Sequence, residues 1–280
     1  MTKSKSSVAL TCAIVLVFSV SCQDPTSSKT ITKSVVDKVR VQKSLAAAYV
    51  VYPPFVIKDP STGQLSGYFI EMMEEISKYG DFKVNYEEAK WGTMVAGLEQ
   101  NRYDVVVSGI FPTIPRALSV TFAKPIMYVG LSAIVDAKSQ INWVTSALSD
   151  PKLRIAVVNG EVGQEYVKRF LPAQKPISLD TSDLSRAGLE VLQGRADIAI
   201  AESITCVEFA QRNPKVKAIF TEIPLQVYGS TFMIRSGDPD WLAFLNTSIE
   251  FLESSGVIDK LESKYKSRPG LWLSRSKPWQ

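Results

Sequence analysis

A regular alternation of short apolar runs with amphipathic segments most constrains how this chain can fold. The runs YDVVVSGI, LRIAVVNG and ADIAIAES are mostly apolar and predict buried strands. In the segment FIEMMEEISKYG, by contrast, the apolar residues Ile70, Met73 and Ile76 are spaced three apart, which is typical of a helix with one buried face. Strands that alternate with helices in this way predict an α/β fold with a mostly parallel sheet.

The alternating pattern occurs twice, with extended stretches between its two parts. It begins at SLAAAYVVY, restarts at LRIAVVNG and ends with two C-terminal helices. We therefore predict two α/β lobes, each a mixed, mostly parallel sheet flanked by helices, joined by two crossing segments. Lobe 1 is predicted to contain residues 44–128 and 232–280, lobe 2 residues 134–223, and the crossings residues 127–134 and 223–232.

The N-terminus has the order of residues found in a secretory signal. Lys3 and Lys5 precede the mostly apolar residues 8–20, and small residues follow. The apolar stretch is shorter than the about 20 residues that a membrane-spanning helix needs. We expect residues 1–21 to be a signal peptide and residues 22–43 a tether and lead-in, so that the mature protein is exported to the periplasm.

Cys22 resembles the lipidated cysteine of bacterial lipoproteins, because it directly follows Ser19-Val20-Ser21. We favour a lipid anchor here, although Ser19 replaces the leucine that usually stands three residues before the cysteine. The alternative is ordinary cleavage after Ser21, since small residues occupy both positions that signal peptidase requires.

The composition excludes several classes of function. The 280 residues contain no histidine, which rules out Ser-His-Asp and Cys-His catalysis, histidine-ligated zinc and axial-histidine haem. The three cysteines are too scattered for a thiolate metal site, and no phosphate-binding glycine motif occurs. The net charge of +4 is too weak to indicate a nucleic-acid surface. We therefore expect no cofactor, metal or nucleic-acid partner.

Two charged residues follow predicted strands in different lobes. Arg116 lies a few residues beyond YDVVVSGI, and Glu202 ends ADIAIAE. Ligands of open α/β sheets bind beyond the carboxyl ends of the strands. Arginine clamps a carboxylate and glutamate accepts from an ammonium group, so the two suit a zwitterion. The alternatives are a surface arginine paired with a nearby acid and a solvated glutamate at a strand end.

A set of ordered motifs then resembles the type 2 periplasmic solute-binding proteins, specifically the amino-acid-binding family of ABC importers (family 3). The resemblance covers about residues 37–267. It rests on YPPF from Tyr52, Gly67, Trp91 ahead of GLEQNRYDVVVSG, TIPR ending at Arg116, FAKP from Phe122, and GRADIAIAE ending at Glu202. The resemblance implies the two-lobed fold with the ligand in the cleft between the lobes.

The same resemblance implies roles for individual residues. It implies that Arg116 binds the α-carboxylate of the ligand and that Glu202 binds its α-amino group. Tyr52 and Trp91 are expected against the ligand side chain, and Phe111, Gly109 and Val162 beside the ligand. The alternative for the aromatic residues is a core or rim position. Tyr49 is a further candidate, whereas Asp104 and Thr113 are expected to anchor a turn and cap a helix.

Two positions depart from the family pattern. Phe111 stands where many members have a small hydroxyl residue, and Glu161 and Val162 follow Gly160 where serine or threonine is usual. Either Glu161 faces solvent and caps the next helix, which we expect, or the ligand carries a positive or polar group there. Both departures argue against an ordinary small α-amino acid.

The function that follows is that of a non-enzymatic, monomeric receptor for an amino-acid-like ligand. It would deliver this ligand to an ABC permease in the inner membrane. A cyclohexadienyl-dehydratase-like enzyme is one alternative, although Thr205 lies near the place of that enzyme's second acid. A ligand-sensing domain that acts on a separate membrane partner is the other.

Overall fold

The computed structural model describes residues 34–265 and the backbone of 273–274. The predictions for the signal peptide, for Cys22 and for the C-terminal Trp272 and Trp279 lie outside these residues. The strands are β1 Ser44–Tyr49, β2 Ile57–Lys58, β3 Leu65–Ser66, β4 Lys83–Glu88, β5 Val105–Ile110, β6 Val120–Phe122, β7 Met127–Asp136, β8 Ile155–Val158, β9 Ile177–Leu179, β10 Ile198–Glu202, β11 Val216–Ile219, β12 Gln226–Arg235 and β13 Leu273–Ser274. The α-helices are α1 Val35–Gln42, α2 Tyr68–Gly80, α3 Met94–Glu99, α4 Ile114–Ala117, α5 Val162–Phe170, α6 Ser185–Leu192, α7 Ser203–Arg212, α8 Pro239–Ser254 and α9 Val257–Tyr265.

The first half of the sheet is built around β5. Strands β4, β1 and β5 are parallel, and β12 and β6 continue the sheet antiparallel. Every residue of β5 is buried, as its apolar sequence predicts. Asp104, just before β5, accepts from the Ala46 backbone N–H at 2.9 Å and from Lys38 Nζ at 2.6 Å, so it anchors the turn as expected.

The second half of the sheet repeats this arrangement. Strands β9, β8 and β10 are parallel, and β7 pairs antiparallel with β10 and β11. All four residues of β8 and all five of β10 are buried. A helix follows the carboxyl end of each of β5, β8 and β10, and these strand ends are where an α/β sheet places its ligand.

The two longest strands, β7 and β12, connect the two halves of the sheet. They pair with each other from Met127 to Leu131 and from Gln226 to Ser230. Beyond Ser230, β12 leaves β7 and pairs with β5 and β6. The two-lobed, mixed α/β architecture expected from the sequence is therefore present, and its extended crossings are continuous strands. The exact bounds of the lobes stay a prediction.

Two helices were not expected from the sequence. Helix α1 lies in the predicted lead-in and packs against α8, where Asp238 accepts from Ser34 Oγ at 2.7 Å and from the Val35 N–H at 2.8 Å. Helix α7 begins directly after Glu202, without an intervening turn. Within residues 34–265, no helix is long and apolar enough to cross a membrane.

Candidate functional site

Arg116 reaches the site from a short helix that follows β5. Thr113 is the N-cap of α4 and accepts from the Arg116 N–H at 3.4 Å, so the capping expected of Thr113 is confirmed. The guanidinium then bends back, and its Nη1 donates to the carbonyl oxygen of Phe111 at 2.9 Å. Its Nη2 donates to the carbonyl oxygen of Gly160, in the other lobe, at 2.7 Å. Both partners are neutral carbonyls, so the alternative of an arginine paired with a nearby acid is wrong for this structure.

The backbones of the two lobes lie close together around the hydrogen bond from Arg116 to Gly160. Gly160 has a φ of +78°, and a Cβ there would lie 2.6 Å from the Cα of Gly92, so both features require glycine. Beside it, the Trp91 indole Nε1 donates to the carbonyl oxygen of Ser182 at 3.2 Å. The structure is therefore closed at the level of Arg116.

Glu161 is buried rather than exposed, with 3% of its surface accessible. Its Oε2 accepts from the Gly163 N–H at 2.7 Å and so caps α5. The capping we expected is confirmed, but the expectation that Glu161 faces solvent is wrong. The reason is the close approach of α5 to β10: a Cβ on Gly163 would lie 2.3 Å from the Ile200 carbonyl oxygen. A cap held this close to the end of β10 lies inside the protein.

Glu202 is likewise buried, with 2% of its surface accessible, so the alternative of a solvated strand end is wrong. Its Oε2 accepts from Thr205 Oγ1 at 3.5 Å, and its carboxyl group hydrogen-bonds that of Glu161. Two ionised carboxylates are both acceptors, so this bond exists only when the pair holds a proton. With both groups ionised, Glu161 Oε1 has no hydrogen-bond donor.

Burial is the main cause of the raised pKa values of this carboxyl pair. It raises the pKa of Glu202 well above its ordinary value, and the charge and hydrogen bond of Glu161 add to the rise. Burial also raises the pKa of Glu161, while its hydrogen bonds and the charge of Arg116 oppose the rise. Burial lowers the pKa of Arg116, although a guanidinium stays charged at neutral pH. Burial therefore favours a protonated form of this carboxyl pair, next to a permanent cation.

Tyr52 lies beside the carboxyl pair, at the start of the YPPF turn. Its side chain is buried, and its hydroxyl has no hydrogen-bond partner. Burial raises the pKa of Tyr52 well above its ordinary value, and the negative charges of Glu202 and Glu161 raise it further. Its ring contacts that of Trp91 edge to face, with 5.8 Å between centroids. The two aromatic residues expected at the ligand side chain are thus neighbours.

The remaining predicted residues occupy different places. The ring of Phe111 is buried and stacks on Tyr228 at 5.5 Å, and it is the carbonyl oxygen of Phe111 that faces Arg116. Gly109 has a φ of +70°, and a Cβ there would lie 2.2 Å from the ring of Phe69, so core packing requires this glycine. Val162 is buried at the start of α5. Tyr49 instead donates to Glu88 Oε2 at 3.3 Å, away from the cluster.

Two cavities are lined by residues that neighbour this charged cluster. The first, of about 450 Å³, lies on the Arg116 side and is lined by Thr113, Glu165 and Tyr228, among others. The second, of about 360 Å³, lies on the Glu202 side, where Tyr52 and Thr205 form part of its wall. The sequence did not indicate the roles of Tyr228, of Ser182 or of the Gly160 carbonyl, because only the folded chain brings them to the site. Residues 34–265 contain no group of three or more metal-ligating side chains.

Comparison with known proteins identifies relatives that match most of the chain. The model of the bacterial extracellular solute-binding proteins, family 3, matches residues 46–268. A probable histidine-binding protein of Neisseria gonorrhoeae is 25% identical over 229 residues, which are 80% of this chain and 83% of that protein. An L-cystine-binding protein of Bacillus subtilis (strain 168) is 26% identical over 217 residues, 76% of this chain and 77% of that protein.

A solved structure supports the same comparison. It is an ancestral amino acid-binding protein, described as a precursor of cyclohexadienyl dehydratase. It matches with a TM-score of 0.74 at 26% identity and covers 83% of this chain and 99% of its own.

Proposed function

Because the chain belongs to the bacterial extracellular solute-binding proteins of family 3, we propose that its buried charged cluster captures an amino acid for ABC-type import. The ligand carboxylate binds Arg116, and the ligand ammonium group binds Glu202. The relatives described above are named for binding histidine, cystine or amino acids in general, which supports this ligand class. Membership of the family implies export and delivery of the ligand to a permease.

The observation that carries the proposal is the environment of Arg116. This largely buried cation is held by two neutral carbonyl oxygens, and among the described residues no carboxylate forms a salt bridge with it. A charge-assisted, two-pronged bond to a carboxylate is about twice as strong as a bond between neutral groups. A ligand carboxylate is therefore the partner that this guanidinium lacks.

The way the lobes meet explains how binding is coupled to closure. Arg116 follows β5 in lobe 1, and Glu202 ends β10 in lobe 2. In the described part of the chain, β7 and β12 are the strands that cross between the lobes. A ligand that bonds both side chains has differential affinity for the closed state and shifts the protein toward it. Closure also removes water, which strengthens both contacts.

A dehydratase-like activity is the second candidate, and the carboxyl pair favours it. A buried carboxyl group with a raised pKa can donate a proton to a leaving group. Thr205, however, offers only a hydroxyl where such an enzyme has its second acid. We therefore propose that the protein binds its ligand without catalysing a reaction. We also propose that it is a monomer, tethered to the membrane through Cys22.

One screen tests the proposal. Thermal unfolding is followed with each of the twenty amino acids, with polyamines and small carboxylates, and with prephenate and arogenate. A ligand raises the midpoint in proportion to RT ln(1 + [L]/Kd), so a tight ligand is readily detected. Stabilisation by an amino acid that disappears in Arg116→Ala supports the proposal. Turnover of prephenate or arogenate to an aromatic product would overturn the non-catalytic part of it.

A further inference from the structure

The carboxyl pair carries more negative charge than an ordinary amino acid can neutralise. In the proposed function, Arg116 and Glu202 balance the two charges of a zwitterion. Glu161 is a second buried acid at the same place, and it hydrogen-bonds Glu202. A buried charge without compensation costs several kcal/mol by the usual order of magnitude, so something positive must balance Glu161. A proton does so when the site holds no second cation.

Two unpartnered polar atoms point to a ligand at this pair. With both carboxyl groups ionised, the buried Glu161 Oε1 has no hydrogen-bond donor, and the buried Tyr52 hydroxyl has no hydrogen-bond partner among the described residues. Native proteins rarely leave such atoms unsatisfied. Both lie near Glu202, whose charge acts on the Tyr52 hydroxyl. A ligand group with several N–H donors satisfies them together.

A cavity of about 360 Å³ adjoins the residues around this pair. Thr205, which bonds the Glu202 carboxyl, and Tyr52, whose hydroxyl has no partner, both line this cavity. Two acids on its wall, Asp183 and Glu208, form ion pairs with Arg186 and Arg212. The buried carboxyl pair, rather than the cavity wall, is therefore the part of the site that can select a positively charged ligand.

We infer that Glu161 makes this site selective for amino acids that carry a second positive charge, and that such a ligand displaces the proton shared by Glu161 and Glu202. This inference rests on the proposed function. An amino acid with one positive and one negative charge leaves the proton in place. An amino acid with an additional cation balances both carboxylates, and the proton is released to solvent.

The charge balance includes every titratable group that faces the pair. Arg116 of α4 is a permanent cation whose charge acts on Glu161. The other groups are neutral at pH 7 or lie further along the same elements. They are Tyr52 after β1, Cys206 and Glu208 of α7, Glu165 of α5 and Tyr228 of β12.

Titration calorimetry of the full-length protein tests the inference with two pairs of probes. L-arginine is compared with L-citrulline, and L-lysine with L-norleucine, because the members of each pair have similar shape but differ by one positive charge. Each titration is run from pH 5 to 8 in two buffers of different ionisation enthalpy, which counts the protons released. We expect a cationic probe to release up to one proton and to gain up to about tenfold in affinity per pH unit over that interval. The neutral counterpart is expected to bind more weakly and to release none.

Two variants test whether Glu161 causes the proton release and the preference for the cationic probe. Glu161→Gln keeps the size of the side chain, and we expect it to abolish proton release and to reduce the preference for the cationic probe by about tenfold or more, the value of one hydrogen bond to a charged group. Glu99→Gln removes the same charge from an exposed position at the end of α3 and is expected to leave proton release unchanged. Thermal unfolding verifies that both variants are folded.

The outcomes separate the two proposals. Equal affinity for cationic and neutral probes, absence of proton release in the wild type, or release that persists in Glu161→Gln overturns this inference and leaves the proposed function intact. If only neutral amino acids bind, this inference is likewise overturned and the proposed function is left intact. If no amino acid of either kind binds, both proposals fall.

Discussion

Arg116 Nη2 lies 2.7 Å from the carbonyl oxygen of Gly160, so a guanidinium of one lobe bonds the backbone of the other. The same guanidinium bonds Phe111 in its own lobe at 2.9 Å. One side chain thus presents its positive charge at the line where the lobes meet. This position makes Arg116 both a contact between the lobes and the cation that a ligand carboxylate meets.

Replacing Arg116 by lysine is expected to weaken ligand binding. Arg116→Lys keeps the charge but loses the planar fork that holds a carboxylate in two places. We expect a loss of about tenfold to a hundredfold in affinity, because a hydrogen bond to a charged group contributes about 1.5–3 kcal/mol. Calorimetry with the best amino acid from the screen measures it. Arg40→Ala, on exposed α1, is the control, and equal binding by Arg116→Lys and the wild type would contradict the clamp.

Gly160 is expected to tolerate no side chain. Gly160→Ala places a residue at a φ of +78° and a Cβ 2.6 Å from the Cα of Gly92 across the cleft. Gly194→Ala is the matched control, because Gly194 has a φ of +71° but nothing within 4 Å of the added Cβ. Both variants carry the left-handed strain of about 1–2 kcal/mol. Only Gly160→Ala is expected to lose ligand affinity. Small-angle X-ray scattering with ligand present is expected to show that this variant is more open than the control. Closure equal in the two variants would contradict this prediction.

Trp91 is expected to contribute to closure through its indole N–H. Trp91→Phe removes the 3.2 Å bond to the Ser182 carbonyl oxygen between the lobes. A single neutral hydrogen bond contributes about 0.5–1.5 kcal/mol, so we expect affinity to fall about twofold to tenfold. Trp143→Phe is the control, since the Trp143 indole donates to Ser139 Oγ, four residues away, at the same 3.2 Å distance. A similar loss in both variants would show that the bond to Ser182 has no special role.

Much of the fold could be predicted from local pattern. The buried run in β5 and the three-residue spacing in α2 are signals contained within a few neighbouring residues. Helix α7 was missed because Glu202 ends a strand and is the N-cap of the next helix, so no turn residue separates the two elements. Helix α1 was missed because its eight residues, VVDKVRVQ, bury only Val35 and Val39.

The direction of Glu161 could not be predicted for a different reason. Its burial depends on the contact of Gly163 with the Ile200 carbonyl oxygen, between residues far apart in the chain. Local sequence indicates that Glu161 caps α5, and this part was correct. Which way a cap faces is decided by what the helix packs against. The partner in this case is the end of β10, with Glu202 as its last residue.

The carboxyl pair also predicts how the stability of the ligand-free protein depends on pH. Burial raises the pKa of Glu202 and of Glu161 above the values of the unfolded chain. Between the unfolded and folded pKa values, the folded protein therefore binds more protons than the unfolded chain. The free energy of unfolding consequently falls as pH rises through this interval, which begins at about 4.3, the ordinary pKa of glutamate. This is the reverse of the usual behaviour of a salt-bridged acid.

Glu161→Gln is expected to reduce this dependence, because an amide needs no proton to stay neutral beside Glu202, whereas the burial of Glu202 itself remains. We expect the variant to be more stable than the wild type at pH 8 by at least about 1 kcal/mol, the lower end of the cost of an unsatisfied buried polar atom. Urea unfolding at pH 5, 6.5 and 8 measures the difference, which should shrink as pH falls and Glu202 and Glu161 become protonated. Glu99→Gln, at an exposed position of α3, is the control and should parallel the wild type. A constant difference across the three pH values would show that the two carboxyl groups do not share a proton.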